Sequence, residues 1–257
     1  AAFREAPLKL PPGMAGLISD PQRFPFIDKV VAFEEDERMA TQTTLSTALH
    51  PFLVDHAIDG VPYHPGVMAL EMFAQNALLL KPETALAGFK DVTFGLPVKI
   101  MRDSMTVRVE SSVSSSIDGL HEIHCRLVSD LMSSSGEVFG EREHHSAVVR
   151  LVDRAEDLSA FFAGELGAMP DTGLAPAHGD LLHHPSFIYL RYFHGPRFQS
   201  HGGVLRGVQQ GEHLGVDGLA LMRHQLPAKD QFAIESDGAA VLLEALPMLI
   251  EAGFQNA

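Results

Sequence analysis

The chain has 257 residues, the length of one large domain or of two fused small ones. Hydrophobic residues make up 46% and charged residues 20%, the balance of a chain that folds around a core rather than a disordered or fibrous one. Nineteen basic against thirty-three acidic residues leave a net charge of −14, which opposes binding to phosphate backbones and anionic bilayers, so no nucleic acid and no membrane is expected as a partner. The single cysteine, Cys125, excludes an intrachain disulfide framework and a multi-cysteine metal centre, and fits a cytoplasmic location. The apolar stretch at 241–254 is cut by Glu244, Pro247 and Glu251, too broken to span a membrane. Position 1 is alanine and no apolar leader follows, so the chain is expected to be a piece of a longer protein.

The first elements, 24–33 and 39–46, are rich in β-branched and aromatic residues and flank the charged run 34–38; they predict an antiparallel hairpin. A Gly/Pro-rich loop is expected from His50-Pro51 to Pro65-Gly66. Residues 67–80 are strong helix formers with no internal Gly or Pro, halted before Lys81-Pro82. Only Glu71, Gln75 and Asn76 are polar there, so the helix is expected to be enclosed rather than laid on a surface. Strands are predicted over 89–100, 105–113, 121–131 and 138–152, separated by polar turns at 111–118 and 133–136. A helix wrapped by a curled antiparallel sheet, an α+β arrangement, is the simplest way to bury it.

From 154 to 185 the pattern dissolves into a Pro/Gly-rich linker with one short helix expected near 155–166. A second strand-rich stretch, 198–225, precedes a second apolar helical pattern at 239–254. The order of the first half thus repeats in outline, which predicts halves at 1–153 and 186–257, the second one ending before its sheet is complete.

His56 carries the strongest chemical signal, standing on a loop that feeds the N-terminus of the enclosed helix. An imidazole exchanges protons near neutral pH, and the free amides of a helix start stabilise a developing oxyanion. With fourteen histidines present, residue chemistry alone leaves a structural role for His56 the commoner outcome.

The segment His56-Ala-Ile-Asp-Gly60-Val-Pro-Tyr-His-Pro65 resembles the HxxxGxxxxP signature of polyketide synthase dehydratase domains. Tyr189 with Gly195-Pro196-Arg-Phe198-Gln199 resembles that family's GPxFQ motif. Leu246-Pro-Met-Leu-Ile-Glu251-Ala-Gly-Phe-Gln255 resembles its LPxxLDxxxQ segment, with Glu251 where the family has aspartate.

The resemblance implies a double hotdog fold and dehydration of a 3-hydroxyacyl thioester carried on the phosphopantetheine of an acyl carrier protein, with no other cofactor. It implies that His56 removes the C2 proton and that Glu251 protonates the departing C3 hydroxyl. Gly60 and the amides of Gly66 and Val67 are then expected to receive the enolate oxygen, and Gln255 to orient Glu251. Pro65, Tyr189, Gly195, Pro196, Phe198 and Gln199 are expected to line the substrate path. Other synthase domains, on the same chain, are the implied partners, with homodimerisation left open. Asp237 is a rival acid, without the Leu-Pro context of Glu251.

Other signals are weaker. His144-His145 and His183-His184 are expected to be polar loop or sheet-face residues, because adjacent strand residues point opposite ways and no HExxH pattern accompanies them. Cys125 is expected to be a small buried hydrophobe. Gly202-Gly203 and Gly207 lack the strand–GxGxxG–helix context of a phosphate loop, and Arg191, Arg197 and Arg206 are as well explained by surface charge as by an acidic carrier. Two alternatives stay open: another hotdog thioester enzyme, isomerase or thioesterase, and a non-catalytic module that binds an acyl chain or carrier.

Overall fold

A computed structural model describes residues 10–11, 13–18, 24–153, 185–209, 216–222 and 250–251. Chain order begins with a short helix α1 (Met14–Ile18) and the hairpin β1 (Lys29–Glu34) and β2 (Arg38–Leu45). A 3-10 turn at Pro51–Asp55 leads into β3 (Ala57–Ile58), β4 (Val61–His64) and the helix α2 (Gly66–Leu80). Then follow β5 (Ala85–Phe94), β6 (Val98–Lys99), β7 (Met105–Ile117), β8 (Leu120–Met132) and β9 (Val138–Val152). After them come α3 (Pro185–Tyr189), a 3-10 turn at Pro196–Phe198, and the pair β10 (His201–Gln209) and β11 (Val216–Met222).

Six strands form one antiparallel sheet in the order β1-β2-β7-β8-β9-β5. Its concave face wraps α2, of whose fifteen residues fourteen are buried. The polar residues of this helix are all bonded inside the core. Gln75 donates to Glu71 and accepts from the Phe26 amide, and Asn76 donates to Thr41 and to the Val109 carbonyl. Each buried polar group so satisfied avoids a penalty of about 1–3 kcal/mol. Met39, Leu45, Val107, Val109, Ile123, Cys125, Leu127, Val149 and Leu151 close the core from the sheet side. On the other face Glu110 accepts from Arg108 and Arg126, and both arginines reach Glu141 across the ladder. This enclosed helix under an antiparallel sheet is a hotdog-like fold.

Three readings change. The segment between His50 and Pro65 is more ordered than a loop: Ala57 pairs with Pro62 and Ile58 with Val61 around the two-residue turn Asp59-Gly60. Both turn residues have positive φ, 50° and 76°, the geometry that Asp-Gly supplies in hairpins. The serine-rich stretch 111–118 is no turn, since β7 continues to Ile117 and only Asp118-Gly119 turns. The strand expected at 89–100 is two, with a break at 95–97. The predicted linker helix at 155–166 lies outside the described residues, as does the second helix at 239–254 apart from the helical pair Ile250 and Glu251. Among the described residues no helix is long and apolar enough to cross a membrane.

Candidate active site

The 3-10 turn that begins at Pro51 buries Phe52 and Leu53 and hands the chain to His56 at the base of the hairpin. There the hairpin register holds the residue. Tyr63 N–H donates to the His56 carbonyl at 2.9 Å, and His56 Nδ1 lies 2.9 Å from the Tyr63 carbonyl. A carbonyl only accepts, so Nδ1 carries the proton and the neutral ring keeps its lone pair on Nε2. Burial is the main influence on His56 and pushes its pKa below that of an ordinary imidazole; the Tyr63 bond and Glu251 oppose this, and His194 adds to it.

His56 and Glu251 line one cavity of about 340 Å³, together with Tyr63, His64, Gly66, Val67, Phe94, Gly95, Pro97 and His145. The cavity opens at the start of α2. In that first turn the amides of Met68 and Ala69 bond back to the Pro65 carbonyl, and Gly66 and Val67 precede them at the cavity wall. Glu251 is 7% exposed, and its Oε1 lies 3.1 Å from His194 Nε2.

The segment before and within the Gly195-Pro196 motif packs onto His56. Phe193, His194 and Phe198 bring their ring centroids within 4.9, 5.5 and 5.4 Å of the imidazole. Gly195 makes this approach possible, because its amide bonds to the Asp55 carbonyl at 2.7 Å and a Cβ there would meet the Asp55 Cα at 2.8 Å.

Several expected site residues stand elsewhere. Gly60 is exposed in the hairpin turn and is not among the cavity-lining residues, so its part is to set the turn that aligns His56 with Tyr63. Pro65 caps α2 with its carbonyl. Tyr189 packs against Tyr192, Pro196 is exposed, and Gln199 donates to the His194 carbonyl. Gln255, Asp237 and His183-His184 lie outside the described residues.

His144 and His145 stand on the strand β9, within the expectation of loop or sheet-face residues, and both are buried. The β8–β9 register slips at this point, with Leu127 opposite His145 and Val128 opposite Glu143, and such a bulge turns two successive side chains inward. His144 bonds to Ser129 and to the Leu96 carbonyl, while His145 faces the cavity. Burial pushes the His145 pKa down to about 4 and that of His64, whose two ring nitrogens have no hydrogen-bond partner among the described residues, well below the ordinary value. Cys125 is the small buried group expected, its thiol pushed up to about 12 by burial. Sequence reasoning missed His194. Its place directly before the Gly-Pro motif was the available signal.

The fold and this histidine-bearing mouth define a hotdog-like protein, and comparison with known proteins narrows the class. Residues 25–126 match the family model described as polyketide synthase dehydratase domain. Three solved structures share the fold. The dehydratase domain from the CurF module of curacin polyketide synthase is 15% identical, with a TM-score of 0.57 over 90% of this chain and 74% of its own. A trans-AT polyketide synthase dehydratase domain from Brevibacillus brevis is 19% identical, with a TM-score of 0.56 over 90% and 76%. An inactive CurJ dehydratase variant with histidine replaced by phenylalanine is 17% identical, with a TM-score of 0.53 over 91% and 70%. No curated protein matches the chain. The chain therefore carries the polyketide synthase dehydratase sequence pattern over 25–126 and shares the hotdog-like fold of these dehydratase domains.

Proposed function

We propose that the chain dehydrates a 3-hydroxyacyl thioester, delivered on the phosphopantetheine of an acyl carrier protein, to the enoyl thioester during polyketide synthesis. The observation that carries this reading is the presence of His56 and Glu251 on one cavity at the start of α2. His56 Nε2 takes the proton from C2, and the electron pair moves toward the thioester oxygen, which the Gly66 and Val67 amides receive. The pair then forms the C2–C3 double bond as the C3–O bond breaks. Glu251, as the carboxylic acid, protonates the leaving oxygen and water departs. The proton held by His56 returns through solvent to Glu251, which completes the cycle. No cofactor beyond the carrier's phosphopantetheine enters these steps.

Mass spectrometry of a carrier-bound 3-hydroxyacyl group measures the loss of water directly. The wild-type chain should dehydrate it, while His56→Ala and Glu251→Gln should be reduced at least about 100-fold. Dehydration at the wild-type rate by both variants would remove the pair from the mechanism. A wild-type chain inert toward every 3-hydroxyacyl carrier offered would instead favour a non-catalytic acyl-binding role.

A further inference from the structure

We propose that His194 is the positioning residue for Glu251, holding one carboxyl oxygen so that the acid meets the substrate in one orientation; this rests on the dehydratase reading of the cavity. His194 Nε2 stands 3.1 Å from Glu251 Oε1, and the two side chains are only 12% and 10% exposed.

The imidazole is itself held in place. It stacks on Phe193 with centroids 4.3 Å apart and 21° between planes, and it meets the Tyr192 ring edge-on at 5.8 Å. Its backbone is fixed from both sides, by the Gln199 side chain on the His194 carbonyl and by the neighbouring Gly195 amide on Asp55. A rigid partner is what a glutamate needs here. Glutamate has one more rotatable bond than aspartate, so confining it costs more rotamer freedom. A buried hydrogen bond from a fixed partner offsets that cost. Nε2–H donates to Oε1, which leaves the acid proton on Oε2 for the departing hydroxyl.

The placement makes His194 and Glu251 a matched pair. An aspartate at 251 would draw its carboxyl back by one methylene, out of reach of a ring that cannot follow. Restoring the residue that the resemblance implies should therefore harm this protein.

Two measurements on the intact chain test the pair. In dehydration assays His194→Ala should lower kcat about 10- to 100-fold with KM within about 2-fold, since about 1 Å of misplacement costs about that much. His194→Gln, which keeps a donor in place, should recover most of the rate. Glu251→Asp should be impaired to a similar degree, and adding His194→Ala to it should cost little more, because the contact is already gone. Independently of turnover, crystal structures should show the Glu251 side chain in one rotamer in wild type and in several in His194→Ala, as loss of its fixed partner requires. A Glu251 rotamer unchanged in His194→Ala, or a His194→Ala enzyme with wild-type kcat, overturns the proposal. A Glu251 rotamer that depends on His194 in a wild-type chain that dehydrates nothing leaves the pair standing and removes the dehydratase reading instead.

Discussion

His56 donates its Nδ1 proton to the Tyr63 carbonyl across 2.9 Å, and the two residues face each other only because Asp59-Gly60 turns the chain between them. The bond decides which nitrogen can act as base. Burial, the largest influence, lowers the His56 pKa from 6.5. A base works only when unprotonated, so as pH falls through 6.5 the ring stays competent and loses activity only at lower pH. The acidic limb of kcat/KM for dehydration should therefore lie below 6.5. A limb at or above that value would mean that another group titrates.

Gly60 governs the same alignment from a distance. Its φ is 76°, and a Cβ added there would have nothing within 4 Å, so a side chain meets a conformational cost and no clash. A β-branched residue is the worst case, at about 1–2 kcal/mol or more. Gly60→Val should lower Tm and reduce dehydration at least about 10-fold, because a relaxed turn moves the Tyr63 carbonyl off His56. Gly60→Asn, which tolerates the left-handed region, should keep most of both. Equal melting temperatures for the two variants would rule out the turn as the cause.

How legible these features were in the sequence depended on the range of the interaction. Helix α2 was plain because it is apolar nearly all round, and the start of β7 because Val107 and Val109 alternate with Thr106, Arg108 and Glu110. The hairpin that presents His56 was hidden by Pro62 and Pro65 and by its very short strands, although Asp59-Gly60 was the signal for it. The serines of 111–116 read as a turn because a strand that extends past the core has no apolar alternation to declare it. The inward turn of His144 and His145 depends on a register slip with β8, and the meeting of His194 with Glu251 on tertiary packing. Local pattern records neither.

The buried histidines predict acid sensitivity of the fold. His50 and His145 have pKa values pushed down to about 4 from 6.5, and His64 also lies well below 6.5, in each case chiefly through burial. As pH falls from 6.5 toward 4 the unfolded chain binds protons that the folded chain refuses, so stability falls across that window and these groups leave it unchanged above. Each of His50 and His145 accounts for a loss of about 2 kcal/mol near pH 5. Urea unfolding at neutral pH and near pH 5 should show that loss, and His145→Gln should reduce it. A pH-independent midpoint in the wild type would contradict the buried, neutral state of these rings.

Gly195 offers a way to separate the site from the fold. A Cβ at this position would lie 2.6 Å from Asp55 Oδ1, 2.7 Å from its Cβ and 2.8 Å from its Cα, so swinging the aspartate side chain away does not relieve the clash. Gly195→Ala must therefore push the 193–198 segment off the turn that carries His56. Phe193 and Phe198 then leave the imidazole, and His194 leaves Glu251. The six-stranded sheet and α2 do not depend on this contact, so the cost to stability should stay within the roughly 1–3 kcal/mol of local overpacking. The dehydration rate should fall about 100-fold, the scale of a displacement of about 1 Å at a reacting group. Gly140→Ala is the matched control, because a Cβ there meets only Leu131 Cδ1 at 3.7 Å, an ordinary contact, and Gly140 is not among the cavity-lining residues. Its rate and melting temperature should stay close to wild type. If Gly195→Ala turns over substrate as fast as this control, the segment before the Gly-Pro motif has no part in arranging His56 and Glu251.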